Sequence, residues 1–201
     1  MKKFIILYVC VSLYSLSYSQ DFSQLGTKAT ISIEDQTYEV LSTGYRLMIN
    51  NTANVKSDEL LKWNDGRIVE EDEYISLDLG TLNLSSMYQA IREIFTKEEF
   101  EELKAGNDRI ELFLQNTPDG RVIEVGLYVR ITPRTLALFP SRAKVFEDNI
   151  KQYVHYTTGE DNHRLPSWRS FHQINFGDLG HLYINKPQRD PDFDGVAIGG
   201  L

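Results

Sequence analysis

The 201-residue chain carries 21 basic against 29 acidic residues, a formal net charge of −8 at pH 7. That balance repels phosphate backbones, and no basic stripe offsets it along the sequence, so nucleic-acid binding is disfavoured. The single cysteine, Cys10, lies in a leader-like segment, which leaves the expected mature chain with neither disulfide nor thiol chemistry. The 11 tyrosines and 10 phenylalanines supply enough volume for one well-cored domain without such staples.

Residues 1–19 read as a signal peptide. Lys2 and Lys3 form a basic start, and Phe4–Leu16 is an apolar run too short to span a bilayer. Ser17 and Ser19 place small residues at the −3 and −1 positions, predicting cleavage before Gln20. Tyr8 and Val9 stand where a lipoprotein signal would need small residues ahead of Cys10. The expectation is a periplasmic or secreted protein with no integral membrane span after cleavage.

Residues 20–85 are expected to form a β-rich extension. Thr27–Ile33 and Tyr38–Ile49 alternate around Glu34-Asp35-Gln36 as a hairpin, and Asn50–Ser57 is loop-like. Glu59–Trp63 suggests a helical turn, stopped by Asn64-Asp65-Gly66. Within Arg67–Leu79, Tyr74 to Leu79 alternate as a short strand. Helical spacing then takes over. Ser86 with Gln89 forms a capping box ahead of Met87, Ile91, Ile94 and Phe95. Thr96 with Glu99 forms a second, flanked by Phe95 and Phe100 as a hydrophobic staple, and Gly106 suits a left-handed helix end.

The strongest local pattern is Arg109–Ile131, two alternating runs joined by Thr117-Pro118-Asp119-Gly120. Parity decides its register. An even loop puts Leu112 and Leu114 on the face of Val125 and Leu127; an odd loop with a bulge mixes apolar and charged residues on both faces. The even register is expected, with Ile123 inward and Glu111, Gln115 and Glu124 on a solvated face. Thr132-Pro133 starts a helix, Pro140-Ser141 interrupts it, and Ala143, Phe146, Ile150 and Tyr153 recur as one stripe facing the sheet. Gly159–Leu165 is a polar loop. Trp168–Leu179 is a third strand with Phe171, Gln173 and Asn175 on one side and His172, Ile174 and Phe176 on the other, extended by Tyr183 and Ile184. Residues 185–201 form an acidic tail rich in Pro, Asp and Gly. The fold class is α+β, an antiparallel sheet with helices on one face.

Phe113-Leu114 through Asp119-Gly120-Arg121-Val122 to Val125, with Ala143–Tyr156 after it, resembles the TonB C-terminal-like domain. The similarity spans residues 86–184 and is shared with small uncharacterised secreted proteins carrying a variant of that domain. It implies a hairpin–helix–strand unit and an exposed sheet edge offered to a partner segment. No anchoring helix or Pro-rich spacer precedes the domain, and the family's Tyr-Pro segment ahead of the hairpin is missing, Phe139-Pro140 lying after it.

The chain offers no Gly-x-Ser-x-Gly elbow and no Gly-rich phosphate loop. His155, His163, His172 and His181 are too widely spaced for a zinc site. Asp190-Pro191-Asp192-Phe193-Asp194-Gly195 copies the opening of a calcium loop, but Leu201 stands where the bidentate Glu belongs. No cofactor, metal or catalytic residue is therefore expected. The candidate partner edge or patch comprises Tyr156, Trp168, Phe171, His172, Ile174 and Phe176. Three readings follow: an exported protein-interaction module binding by strand addition, a small-molecule or glycan-binding protein using an aromatic cleft, and a hydrolase assembled from distant residues.

Overall fold

The computed structural model describes residues 26–55 and 59–179; the expected leader, the expected Tyr183–Ile184 extension and the expected tail lie outside them. Strands β1 (Lys28–Ile33), β2 (Gln36–Ser42), β3 (Arg46–Asn51), β5 (Arg109–Asn116), β6 (Val122–Arg130) and β8 (Trp168–Asn175) form one sheet in the order β1-β2-β3-β6-β5-β8. Every neighbouring pair is antiparallel. Two short strands, β4 (Thr81–Leu82) and β7 (Tyr156–Thr157), pair separately. The helices are α1 (Glu71–Ile75), α2 (Leu84–Ile94), α3 (Lys97–Ala105), α4 (Pro133–Leu138) and α5 (Ala143–Tyr153). This is the expected α+β architecture.

Alternation builds the core. Leu47 and Ile49 of β3, Ile110, Leu112 and Leu114 of β5, and Val125, Leu127 and Val129 of β6 are all buried on one sheet face. Ile91 and Ile94 of α2, Phe100 and Leu103 of α3, and Phe146 and Ile150 of α5 are buried with them. Phe95 links the helices, edge-on to Phe139, Phe146 and Phe176 at centroid separations of 6.3, 6.3 and 5.4 Å. Both staple rings, Phe95 and Phe100, meet on Phe176. A buried polar bridge seats α5 on the sheet: Glu147 accepts from Tyr38 at 2.7 Å and Asn51 at 2.9 Å.

The hairpin register is the one that parity demands, with Leu112 opposite Leu127 and Leu114 opposite Val125. The loop itself differs. Asn116 pairs with Val122, so five residues connect the strands, and a register shift beside Gln115 restores the even-loop parity. The extra residue is Ile123, which is only half-buried, and Val122 enters the core in its place. Glu111, Gln115 and Glu124 are also not wet; all three are buried. Arg46 reaches Glu111, and the segment around Asn54, Val55 and Glu59 folds over Glu124 and Arg169.

Other local expectations shift in instructive ways. The long run Tyr38–Ile49 is two strands, because Gly44 at φ +87° turns the chain between them. Glu59–Trp63 forms no helix; Lys62 bridges to Ile68 instead, around a turn closed by Gly66 at φ +89°. Residues Glu71–Ile75 make one helical turn capped by Glu70 with Glu73, which takes Tyr74 and Ile75 out of the expected strand. Helix α2 starts at Leu84, with Asn83 rather than Ser86 as its cap. Thr96 and Glu99 form the expected box on α3. Gly106 ends α3 in a right-handed conformation, and Asn107 takes the left-handed position at φ 49°. Thr132-Pro133 starts α4 as read. Strand β8 ends at Asn175, four residues short of the expected Leu179.

Candidate functional site

The six residues of the sequence-derived patch do not share a surface. Tyr156, Trp168, Ile174 and Phe176 are buried, and His172 is half-buried. Only Phe171 is exposed, at 51%. The Tyr156 and Trp168 rings pack edge to face at 4.8 Å, and the indole N–H donates to the Thr117 carbonyl at 3.0 Å. These rings fill space; they do not line a cleft. Beneath them, the Tyr156 hydroxyl lies 2.6 Å from Ser170 Oγ and 2.5 Å from His172 Nε2. Burial holds the Tyr156 phenol above its ordinary pKa and His172 below its own. Both therefore stay neutral at pH 7. The imidazole's partner is the phenol, not the serine, so this cluster lacks the nucleophile–base contact of acyl transfer. Among the described residues, no group of three His, Cys, Asp or Glu side chains converges on a possible metal position.

A different surface emerges where the sheet turns away from the helices. Cross-strand register arranges its outward residues in rows. Asn50, Gly126, Phe113 and Phe171 form one row across β3, β6, β5 and β8. Met48, Tyr128, Glu111 and Gln173 form the next. Phe113, 42% exposed, touches Tyr128 at 4.6 Å and Phe171 at 4.9 Å between ring centroids. Gly126 contributes no side chain, and a cavity of about 260 Å³ opens there, bordered by Met48, Asn50, Phe113, Tyr128 and Arg169. One end of this trough is closed by Gln115, Glu124 and the segment above them. The other end carries Arg46, Arg109 and Arg130 around a smaller hollow with Tyr45, Glu111 and Tyr128. Gln115 and Arg109 stand six steps apart along β5, so the trough is about 20 Å long.

The margin of β8 borders the same surface. The Tyr74 hydroxyl of α1 accepts from the Arg169 N–H at 3.0 Å and donates to the Arg169 carbonyl, so Arg169 turns its backbone away from β5. Antiparallel alternation then turns Phe171 and Gln173 outward too. Neither has a backbone hydrogen bond on that side among the described residues.

The signal that would have located this surface is one residue. Phe113 is a large apolar side chain on the polar face of an otherwise alternating strand, between Leu112 and Leu114.

No family model matches the chain, and no curated protein matches it. In three dimensions it is similar to the crystal structure of a DUF5043 family protein from Bacteroides uniformis, at 16% identity and a TM-score of 0.59. The match covers 78% of this chain and 89% of that one. This likeness shows the fold, a six-stranded antiparallel sheet with helices packed against it. The class is thus an α+β protein built on one antiparallel sheet. Among the described residues, no helix is long and apolar enough to cross a membrane.

Proposed function

We propose that this is an exported, non-catalytic recognition module that takes an extended segment of a partner protein against the free margin of β8. The apolar side chains of that segment rest on Phe171 and Phe113. The observation that carries this reading is Phe171: an exposed ring on an edge strand, in tilted contact with a second exposed ring, beside backbone groups that are unpaired among the described residues. An edge left open on a natural sheet invites pairing, and folds that do not use it blunt it. Here Tyr74 blunts the margin at Arg169 and leaves Phe171 and Gln173 open. The hairpin–helix–strand order, with β8 beside β5, supports a TonB C-terminal-like reading. The leader features at Lys2, Lys3 and Phe4–Leu16 support export.

The trough is shallow, and its volume falls below the roughly 300 Å³ lower bound of sites that engulf small ligands, which favours a polymer. Selection of a displayed random-peptide library against the full chain tests the reading, with amide hydrogen exchange as readout. Peptides that slow exchange at Phe171 and Gln173, and fail to bind after Phe171→Asp, support it. Binders that leave β8 unprotected overturn it.

A second reading is supported by the same rings. Tyr128, Phe113 and Phe171 make an aromatic strip on which sugar faces can stack. Neutral oligosaccharides that bind the strip, where peptides do not, would favour glycan recognition.

A further inference from the structure

The sheet places three arginines on neighbouring strands at one end of the trough. Arg46 of β3 stands directly opposite Arg130 of β6. Arg109 of β5 lies one position beyond the Ile110–Val129 pair, next to Arg130 on its other side. Together with Tyr45 and Tyr128 they surround a hollow of about 90 Å³. Like charges placed opposite one another across strands destabilise a sheet. One carboxylate offsets them: buried Glu111, 2.8 Å from Arg46. Arg109 and Arg130 are exposed and form no ion pair among the described residues. The hollow therefore holds a local charge of +2 in a chain whose net charge is −8.

We infer that Arg46, Arg109 and Arg130 form a binding site for a carboxylate group. Resting on the partner-segment reading above, the group is supplied by an acidic side chain or the C-terminus of that segment. Guanidinium forks match carboxylates in a bidentate manner and are only weakly hydrated, so two adjacent unpaired forks suit such a group. Guanidinium forks also take phosphate, so the choice of a carboxylate rests on the partner segment, whose unmodified side chains and C-terminus carry no other anion. Position agrees as well. The hollow and the trough share Tyr128, so a carboxylate at one end continues into an apolar body over Phe113. Arg109 stands on the strand beside β8, about 10 Å from where an added strand would run, within reach of an acidic side chain extended toward it.

The test uses the full chain and small probes. Arginine Nε–H signals are followed by NMR as acetate, glutarate, inorganic phosphate or sodium chloride is added at matched ionic strength. Saturable shifts at Arg109 and Arg130 with the carboxylates, on the order of millimolar affinity, are expected, without a saturable response to chloride. The double variant Arg109→Gln, Arg130→Gln should weaken this by about tenfold or more while keeping the melting temperature. Identical responses to chloride, or tighter binding of phosphate than of carboxylate, overturn the assignment whether or not the variant folds. Comparing an acidic β8-binding peptide with its Gln counterpart separates the two proposals. If both protect Phe171 equally and leave the arginines unmoved, the carboxylate site fails and the margin reading stands. If acetate moves the arginines but no peptide protects Phe171, the margin reading fails and the carboxylate site stands, without the segment as its source.

Discussion

A single hydroxyl, that of Tyr74, satisfies both backbone groups of Arg169 and so ends the free margin of β8 two residues before Phe171. The phenol is half-buried, and burial lifts its pKa above the ordinary value, so it remains able to donate. Tyr74→Phe keeps the ring and removes the cap. The expected cost is about 1 kcal/mol in urea unfolding, with faster amide exchange at Arg169. An Arg169 amide as protected as in the parent protein would show that the strand end is held by something else.

Gly126 leaves open the floor of the trough. A Cβ built there meets the Asn50 side-chain oxygen at 2.8 Å, which must swing aside, and Phe113 Cβ at 3.4 Å; the cavity beside it receives the added bulk. Gly126→Val is expected to fold with a melting temperature within a few degrees of the parent, because β-branched residues suit a strand interior. Binding of β8-protecting peptides should fall by about tenfold. Unchanged binding with the trough filled would mean that the rings of Phe113 and Phe171 act without it.

How much of this was legible before folding depends on sequence distance. The hairpin register followed from Leu112, Leu114, Val125 and Leu127, because one slip would exchange the faces. Ile123 was misplaced because the bulge has no residue signature in that stretch. Burial of Glu111 and Glu124 depends on Arg46 and Val55, which lie 65 and 69 residues away. The arginine row was invisible for the same reason: it exists only because β3 pairs with β6, and alternation within each strand says nothing about which strands meet. The aromatic patch around Tyr156 and Trp168 was inferred from closeness in sequence. Strand alternation sent only Phe171 outward, and its ring partner came from the hairpin.

Asp108 is almost completely buried and is held by Arg134 at 2.6 Å, with Thr132 Oγ1 at 3.3 Å. The pair ties the start of β5 to α4. Removing one member leaves the other charge buried without compensation, which costs more than the intact pair contributes. Arg134→Gln should destabilise the protein by about 3 kcal/mol, read from the urea midpoint. Asp108→Asn in the Arg134→Gln background should recover part of that loss by removing the stranded charge. A single variant within 0.5 kcal/mol of the parent, about the scatter of an ordinary surface change, would show that solvent reaches Asp108.

Two groups shifted by burial, half-buried His172 and buried Tyr38, set the pH range from opposite ends. His172 is held below its ordinary pKa by burial, so the unfolded chain binds more protons than the folded one just below pH 6.5. Its contribution to stability is complete above that value and is lost as pH falls toward the folded value. Tyr38 is raised far above 10, first by burial and then by its bond to Glu147. Here the folded state binds the extra proton, so stability is complete below pH 10 and is lost as pH rises beyond it. Burial raises the Tyr74, Tyr128 and Tyr156 phenols in the same direction. Urea unfolding at pH 7.5 and 5.5 should show a loss that His172→Gln reduces. A titration followed by tyrosinate absorbance should show ordinary phenols ionising near 10 and a later step coincident with unfolding. Equal acid sensitivity in parent and variant would remove His172 from the account, and a single tyrosinate step near 10 would remove Tyr38.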